Sequence, residues 1–287
     1  MRIFRATACL SAALLPWPAV LCAANFVVLR PAANPHAAPS ADAEVVSQAI
    51  YGTNLEVVEN RNNWSLVRTA DQYTGWIHKA LVLRPDARYG DGKRTAKVTS
   101  LFASLDREAS VTKHQPLTTV PFETRLEVAG DSVVDGENWL HLNLPDGKAA
   151  WMFGGDAALH PEKLSVRAMV ELSKQFVVLP YLWGGTSTFG FDCSGFTQML
   201  ERHRGITMPR DASVQAAWDG SAPVEGAALR AGDLLYFGAD KKVNHTGMYL
   251  GNGEFINATR HLKPILQICK LSDPHWSKAF VTARRVK

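Results

Sequence analysis

The sequence lacks the residue patterns of several common protein classes. It has no CxxC, HExxH or Cys/His spacing of the kind that binds a structural metal. Its 31 Lys and Arg residues nearly balance its 27 Asp and Glu residues, and such a small, dispersed charge does not indicate nucleic-acid binding. No apolar run has the about 20 residues that a membrane span needs. We therefore expect no metal, no cofactor, no nucleic-acid partner and no membrane span in the mature chain.

Cysteine is also scarce, with 4 residues in the chain. Two of them lie in the first 24 residues, MRIFRATACLSAALLPWPAVLCAA, where basic residues precede an apolar run that ends in small residues. This pattern predicts a secretory signal over 1–24, cleaved after Ala24, and export to the periplasm or the extracellular space. A membrane anchor is disfavoured because Pro16 and Pro18 interrupt the run. A lipid anchor at Cys22 is disfavoured by the bulky Leu21 before it.

Removal of this segment leaves Cys193 and Cys269. In an oxidising compartment the two could form a disulfide, or one could be a buried thiol and the other a reactive one. For Cys269 we favour a buried thiol without a role in chemistry.

The first half of the chain contains a weak internal repeat. NWSLVRTADQYTGWI (63–77) resembles NWLHLNLPDGKAAWM (138–152): in both, Asn-Trp opens an alternating strand and a second Trp follows after a turn. Short strands with Gly, Asn and Asp turns predict two small all-β barrels over 25–84 and 95–160, each resembling a bacterial SH3-like barrel. We expect the four Trp residues to be core rather than a ligand platform: Trp64, Trp76, Trp139 and Trp151.

After Pro161 the pattern changes to helices followed by strands, which predicts an α+β domain over 164–287. Ser165 is placed to cap a helix that runs to Val177. A second helix is predicted from Asp192 or Cys193 to Arg204. Phe196, Met199 and Leu200 share one of its faces.

Cys193 is therefore predicted in the first turn of a helix, behind a glycine-rich loop. Unpaired N–H groups and the helix dipole favour a thiolate there and lower the pKa of the thiol. A base and a residue that orients it complete such a site, and His245 and Asn257 lie on successive predicted strands. Each has a simpler interpretation: an inert buried Cys, a hydrogen-bonded strand His, and a polar residue near a turn. The register of the two strands decides whether His245 and Asn257 share a face.

Five motifs together resemble the NlpC-type cell-wall cysteine peptidases. They are PYLWGGTSTFGFDCSG (180–195), PRDASVQ (209–215), GDLLYF (232–237), NHTGMYLG (244–251) and EFINAT (254–259). The resemblance implies a papain-like domain in which Cys193 attacks an amide carbonyl, His245 is the base and Asn257 orients His245. Many members have His at the third position.

The resemblance extends to the members that carry two SH3-like barrels and hydrolyse the γ-D-glutamyl-L-diamino acid bond. It implies peptidoglycan stem peptides with a free N-terminal L-alanine as substrates. The residues implied to bind that alanine are Tyr181, Asp192, Ser194, Asp211 and Ser213, with Tyr73 from the first barrel. The acidic residue that the family places after a Tyr-Gly pair corresponds to Thr53 or is missing.

Two other functions remain open from the sequence. The same Cys/His pair would serve an amidase or transpeptidase that acts on another wall bond. A non-catalytic wall-binding protein is the third interpretation, and the intact Cys193 and His245 argue against it.

Overall fold

The computed structural model describes residues 25–287, so the predicted signal segment lies outside the described residues. The described chain folds into three successive units, each with its own antiparallel sheet. No helix in this part of the chain is long and apolar enough to cross a membrane.

The first unit is a five-stranded sheet of order β6-β5-β4-β1-β7 with a small two-stranded sheet of β2 and β3 beside it. Its core is formed by small and branched apolar side chains, among them Val28, Leu55, Val67 and Ile77. Its strands are β1 (Asn25–Val28), β2 (Ala32–Ala33), β3 (Ala49–Ile50), β4 (Asn54–Arg61), β5 (Trp64–Arg68), β6 (Thr74–His78) and β7 (Val82–Leu83).

The second unit repeats this arrangement with the order β13-β12-β11-β8-β14, and β9 pairs with β10. The shared strand order explains the repeat in the sequence, because the two Asn-Trp segments become β5 and β12 at the same sheet position. The SH3-like nature of the second unit stays a prediction. Its strands are β8 (Thr95–Val98), β9 (Phe102–Leu105), β10 (Thr118–Pro121), β11 (Arg125–Val134), β12 (Glu137–Asn143), β13 (Ala149–Phe153) and β14 (Ala157–Ala158).

The four repeat tryptophans divide into two pairs. Trp76 and Trp139 are buried, as expected of core residues. Trp64 and Trp151 are only half-buried, and each packs against a His ring, with Trp151 stacked 4.8 Å from His141. The expectation that all four are core is therefore wrong for Trp64 and Trp151, because the aliphatic side chains fill the interior of each small unit.

The third unit has a six-stranded sheet of order β17-β22-β18-β19-β20-β21, with α2 packed against β19. This is an α+β domain, as expected. Its elements are α1 (Val166–Lys174), β15 (Thr186–Ser187), β16 (Gly190–Phe191), α2 (Cys193–His203), α3 (Ala212–Ala217), β17 (Ser221–Val224), β18 (Leu234–Ala239), β19 (Lys242–Gly251), β20 (Glu254–Thr259), β21 (Ile265–Lys270), α4 (Pro274–Ala279) and β22 (Phe280–Val286).

Local signals set both predicted helices. The Ser165 hydroxyl accepts a hydrogen bond from the backbone N–H of Ala168 at 3.2 Å, so α1 begins with the expected cap. The helix ends at Lys174, before the predicted end at Val177, because the chain turns there and Val178 has a positive φ of 71°. In α2, the predicted apolar face is fully buried in the core of the unit.

An ionic cluster around the buried Glu123 side chain joins the second unit to the C-terminal end of α2. Glu123 contacts Arg202 at 2.7 Å, His203 at 3.0 Å and Lys97 at 3.6 Å. Burial disfavours the charged carboxylate, but Arg202 and His203 outweigh it and hold the pKa of Glu123 well below its ordinary value. The helix that begins with Cys193 is thus anchored to a neighbouring unit at its other end.

Candidate active site

The glycines before α2 allow two stretches of backbone to pack directly against each other. A side-chain carbon on Gly185 would lie 2.2 Å from the backbone oxygen of Gly190, and one on Gly195 would lie 2.2 Å from that of Gly185. No side chain fits at either position. Gly184 has a positive φ of 74°, which glycine adopts without steric cost. The loop therefore rests on the first turn of α2 and positions Cys193.

Asp192 caps α2 and is held in a buried ion pair. Its carboxylate accepts hydrogen bonds from the backbone N–H groups of Gly195 at 2.7 Å and Gly184 at 3.0 Å. The Arg210 guanidinium binds both carboxylate oxygens and also donates to the Ser194 hydroxyl at 2.9 Å. Sequence reasoning missed Arg210, although it lies within the quoted PRDAS segment. Because Arg210 neutralises Asp192, that carboxylate is already compensated within the protein.

The thiol of Cys193 lies at the start of α2 and is 8% exposed. The backbone N–H groups of Thr246 and Ser194 near its sulfur favour the thiolate. Burial nevertheless raises the pKa of Cys193 to about 12, and the Asp192 carboxylate adds to the rise. The expected lowering of this pKa is therefore not met, since loss of solvation outweighs the helix N-terminus.

His245 on β19 is bonded to Asn257 on β20. The distance from His245 Nε2 to Asn257 Oδ1 is 2.8 Å. An amide oxygen only accepts hydrogen bonds, so Nε2 carries the proton and Nδ1 is left as the basic nitrogen. Burial lowers the pKa of His245 to about 4, against the opposing effect of the Asn257 bond. Both His245 and Cys193 are therefore neutral near pH 7.

The strand register explains how two residues that are not directly opposite meet. Met248 pairs with Ile256 across β19 and β20, so the next step places Gly247 opposite Asn257. His245 is two residues further along β19 and lies on the same face as Gly247. Because Gly247 has no side chain, the ring of His245 reaches diagonally to Asn257. The register that the sequence left open is therefore the one that brings the pair together.

The Asn257 amide is held from behind by two further groups. Its Nδ2 donates to the backbone oxygen of Gln267 at 3.4 Å and to the Cys269 sulfur at 3.5 Å. Cys193 and Cys269 are both free thiols.

The buried Trp276 ring stacks on His245 with centroids 5.1 Å apart. No sequence motif pointed to Trp276, because its role comes only from the packing of α4.

A cavity of about 280 Å³ opens beside Cys193 between the first and third units. Tyr73 from the first unit donates to Asp211 at 3.4 Å. Glu44, also from the first unit, accepts from Trp183 Nε1 at 2.9 Å. The predicted residues that line this cavity are Tyr73, Asp192, Ser194, Asp211 and Ser213.

The structure adds one acidic residue to this cavity, and two residues named from the sequence lie outside it. Glu44 supplies an acidic side chain to the cavity and was missed by sequence reasoning. Thr53 lies instead in a separate cavity of about 490 Å³ where the three units meet. Tyr181 is not among the residues that line the smaller cavity. Its half-buried ring is close to both Cys193 and Arg260, and burial raises its pKa to about 12.

The cavity carries an excess of negative charge. Glu44, Asp192 and Asp211 line it, and Arg210 is the cation among its lining residues. Since Arg210 compensates Asp192, the carboxylates of Glu44 and Asp211 remain for a positively charged ligand group. A cationic group of small size, such as an ammonium, fits this arrangement.

Family models match segments of the first and third units, and relatives match most of the chain. The NlpC/P60 family matches residues 178–285, and the bacterial dipeptidyl-peptidase Sh3 domain matches residues 36–80. A γ-D-glutamyl-L-lysine dipeptidyl-peptidase of Bacillus cereus is 30% identical over 256 residues, which are 83% of this chain and 74% of that protein. Dipeptidyl-peptidase 6 of Lysinibacillus sphaericus is 27% identical, over 82% of this chain and 88% of that protein. The crystal structure of an NlpC/P60 family protein from Bacillus cereus has a TM-score of 0.80 at 26% identity and covers 91% of this chain and 99% of the other.

Proposed function

The chain belongs to the NlpC/P60 family of cysteine peptidases that hydrolyse peptidoglycan, and we propose that its substrates are stem peptides with a free N-terminal L-alanine. The bond to be cleaved is that between γ-D-glutamate and the following diamino acid. The relatives named above as γ-D-glutamyl-L-lysine dipeptidyl-peptidase and dipeptidyl-peptidase 6 support this choice of bond.

The proposed chemistry follows from the neutral state of the two reacting side chains. The Nδ1 atom of His245 takes the proton from the Cys193 thiol as the sulfur attacks the γ-carbonyl carbon. Asn257 holds the ring through Nε2 and stabilises the imidazolium that forms. The imidazolium then gives its proton to the leaving amine. Water hydrolyses the resulting thioester, with His245 again as the base, and restores the thiol.

The acidic cavity is the observation that carries the proposed specificity. A peptide that begins with L-Ala-γ-D-Glu has an ammonium two residues before the bond to be cleaved. The Glu44 and Asp211 carboxylates and the Tyr73 and Ser213 hydroxyls line the wall of this cavity. Together they offer an ammonium the acceptors that replace its water. The first unit closes the cavity, which favours a substrate that ends there.

A comparison of free and N-acetylated L-Ala-γ-D-Glu-L-Lys tests this proposal. Acetylation removes the charge and leaves carboxylates without a partner, at a cost of about 2–5 kcal/mol. We expect kcat/KM to fall by roughly thirty-fold to several-thousand-fold. Murein still attached to glycan should be cut poorly as well, because its L-alanine nitrogen is acylated. The Cys193→Ala protein is the control and should fold without hydrolysing either peptide.

Other outcomes of this comparison point to the other functions. Equal kcat/KM for the two peptides would contradict the ammonium pocket and favour a broader cell-wall hydrolase that uses the same Cys/His pair. Turnover near the wild-type level in the Cys193→Ala protein would contradict the mechanism. A wild-type protein that binds sacculi but cleaves neither peptide would indicate a wall-binding protein.

We also infer export of the chain, since wall-derived peptides lie outside the cytoplasm. N-terminal sequencing of the protein recovered from the host should begin at Asn25. A mature protein that retains Met1 would contradict this inference.

A further inference from the structure

The loop between β20 and β21 carries two basic side chains, and neither lines the acidic cavity. Arg260 follows the last residue of β20, and Lys263 lies three residues later. Both side chains are exposed. Neither forms an ion pair with any group in residues 25–287, whereas Arg202 and Arg210 are both paired.

Arg260 lies over the ring of Tyr181. The guanidinium carbon lies 6.0 Å from the centroid of the Tyr181 ring, within reach of a cation–π contact. The Tyr181 backbone N–H donates to the oxygen of Pro264 at 2.8 Å, so loop and ring are joined. The nearness of Cys193 contributes to the raised pKa of Tyr181, and Arg260 opposes that rise. Tyr181 therefore lies close enough to Cys193 and to Arg260 for both to affect its pKa.

The loop itself is tightly held, so the position of Arg260 is well defined. Gln267 Nε2 donates to the backbone oxygen of His261 at 2.7 Å and to that of Lys263 at 3.3 Å. The His261 ring stacks on His275 with centroids 3.8 Å apart. His275 in turn packs against Trp276, the ring that covers His245. The basic loop is therefore built onto the same support as the catalytic pair.

The two ends of the site differ in charge. The cavity that closes against the first unit is acidic, while Arg260 lies over Tyr181 without an acidic partner and Lys263 follows in the same loop. A stem peptide has the complementary polarity. Its ammonium lies before the bond to be cleaved, and a C-terminal diamino acid released from that bond carries an α-carboxylate on the carbon next to the scissile nitrogen.

We propose that Arg260, with Lys263, forms a subsite that binds a carboxylate of the leaving diamino acid residue. The inference rests on the proposed function and adds to it the side of the substrate that is released. Two carboxylates have the required chemistry: the α-carboxylate of a C-terminal diamino acid, and the side-chain carboxylate of diaminopimelate. Arginine suits either, because its planar guanidinium binds a carboxylate through two hydrogen bonds.

Four peptides distinguish the possible sources of the carboxylate. They are L-Ala-γ-D-Glu-L-Lys, its C-terminal amide, the same peptide with meso-diaminopimelate in place of lysine, and the version in which the α-carboxylate of D-Glu is an amide. Wild type, Arg260→Gln and Arg260→Lys are compared on each. Arg167→Gln is the matched control, because Arg167 is an exposed arginine on α1.

If the α-carboxylate is bound, wild type should cleave the free acid about ten- to a hundred-fold better than the C-terminal amide, the range for a charged hydrogen bond. A preference of that size for diaminopimelate over lysine would identify the side-chain carboxylate instead. Either preference should be absent in Arg260→Gln and largely retained in Arg260→Lys. Arg167→Gln should keep the wild-type preference.

The same peptides, titrated into the Cys193→Ala protein by calorimetry, give a readout that does not need turnover. If the wild-type enzyme cleaves the acid, amide and diaminopimelate peptides with equal kcat/KM, the subsite is overturned while the proposed function stands. The subsite is also overturned if Arg260→Gln keeps the wild-type preference for the acid peptide. It is overturned as well if activity depends on the D-Glu carboxylate and not on a carboxylate of the leaving residue. A wild-type enzyme that neither cleaves nor binds any of the peptides would overturn the proposed function and the subsite together.

Discussion

Gly247 provides a sharp test of the way in which His245 and Asn257 are brought together. A side-chain carbon at position 247 would lie 2.8 Å from the backbone oxygen of Ile256 and 2.9 Å from the Cβ of Asn257. Ordinary contacts of such a carbon begin at 3.4 Å. In Gly247→Ala, β20 or the Asn257 side chain must therefore shift by several tenths of an ångström.

This shift should affect catalysis more than binding. The 2.8 Å bond between His245 and Asn257 matters most when His245 becomes charged, and a hydrogen bond to a charged group is worth about 1.5–3 kcal/mol. Its loss corresponds to roughly a ten- to hundred-fold fall in kcat, with little change in KM. Crowding should also lower the free energy of unfolding by about 1–3 kcal/mol.

The assay is steady-state hydrolysis of L-Ala-γ-D-Glu-L-Lys together with chemical unfolding of the same samples. Gly226→Ala is the control, because a side-chain carbon there meets no atom within 4 Å. The double variant Gly247→Ala/Asn257→Ala should be no slower than Asn257→Ala alone, since both changes remove the same hydrogen bond between His245 and Asn257. Additive losses, or a Gly247→Ala enzyme with wild-type kcat, would refute the reasoning.

Four further predictions concern the same site and its support. Asn257→Ala should lower kcat more than it raises KM, and Asn257→His should keep substantial activity; an inactive His variant beside an active Ala variant would contradict the orienting role. Cys269→Ser should retain activity within a few-fold, because a hydroxyl also accepts from Asn257 Nδ2, and a large loss would show that Cys269 has a greater role. Because burial lowers the pKa of His245 to about 4, the base stays neutral as the pH falls, so the acidic limb of kcat/KM should lie below pH 6.5; a limb above that value would contradict a buried neutral base. Glu123→Gln should lower the free energy of unfolding by about 3–5 kcal/mol, since it leaves Lys97 without its buried carboxylate; a change below about 1 kcal/mol would show that the cluster is not a structural anchor.

Local patterns in the sequence determined the elements that carry the chemistry. Ser165 and Asp192 cap α1 and α2, because a side-chain oxygen satisfies free N–H groups of the first turn whatever surrounds the helix. The alternation of apolar residues placed His245 and Asn257 on strands. The glycines before Cys193 predicted a loop there, and the structure adds the close approach of backbone between Gly185 and Gly195.

Contacts between distant parts of the chain decided the features of the site that helix caps and strand patterns do not reveal. Arg210 neutralises Asp192 across the fold, and Glu44 reaches the cavity from another unit, so no local spacing reveals either contact. The strand register at Gly247, and not the residue types alone, brought His245 to Asn257. The pKa of Cys193 also depends on the whole fold, because the water lost on burial outweighs the local effect of the helix N-terminus. The sequence by itself indicated which residues are candidates for the chemistry and determined which elements hold them, because these depend on near neighbours in the chain. The charge state of those residues and the shape of the site were decided by the tertiary structure, because they depend on distant groups and on the exclusion of solvent.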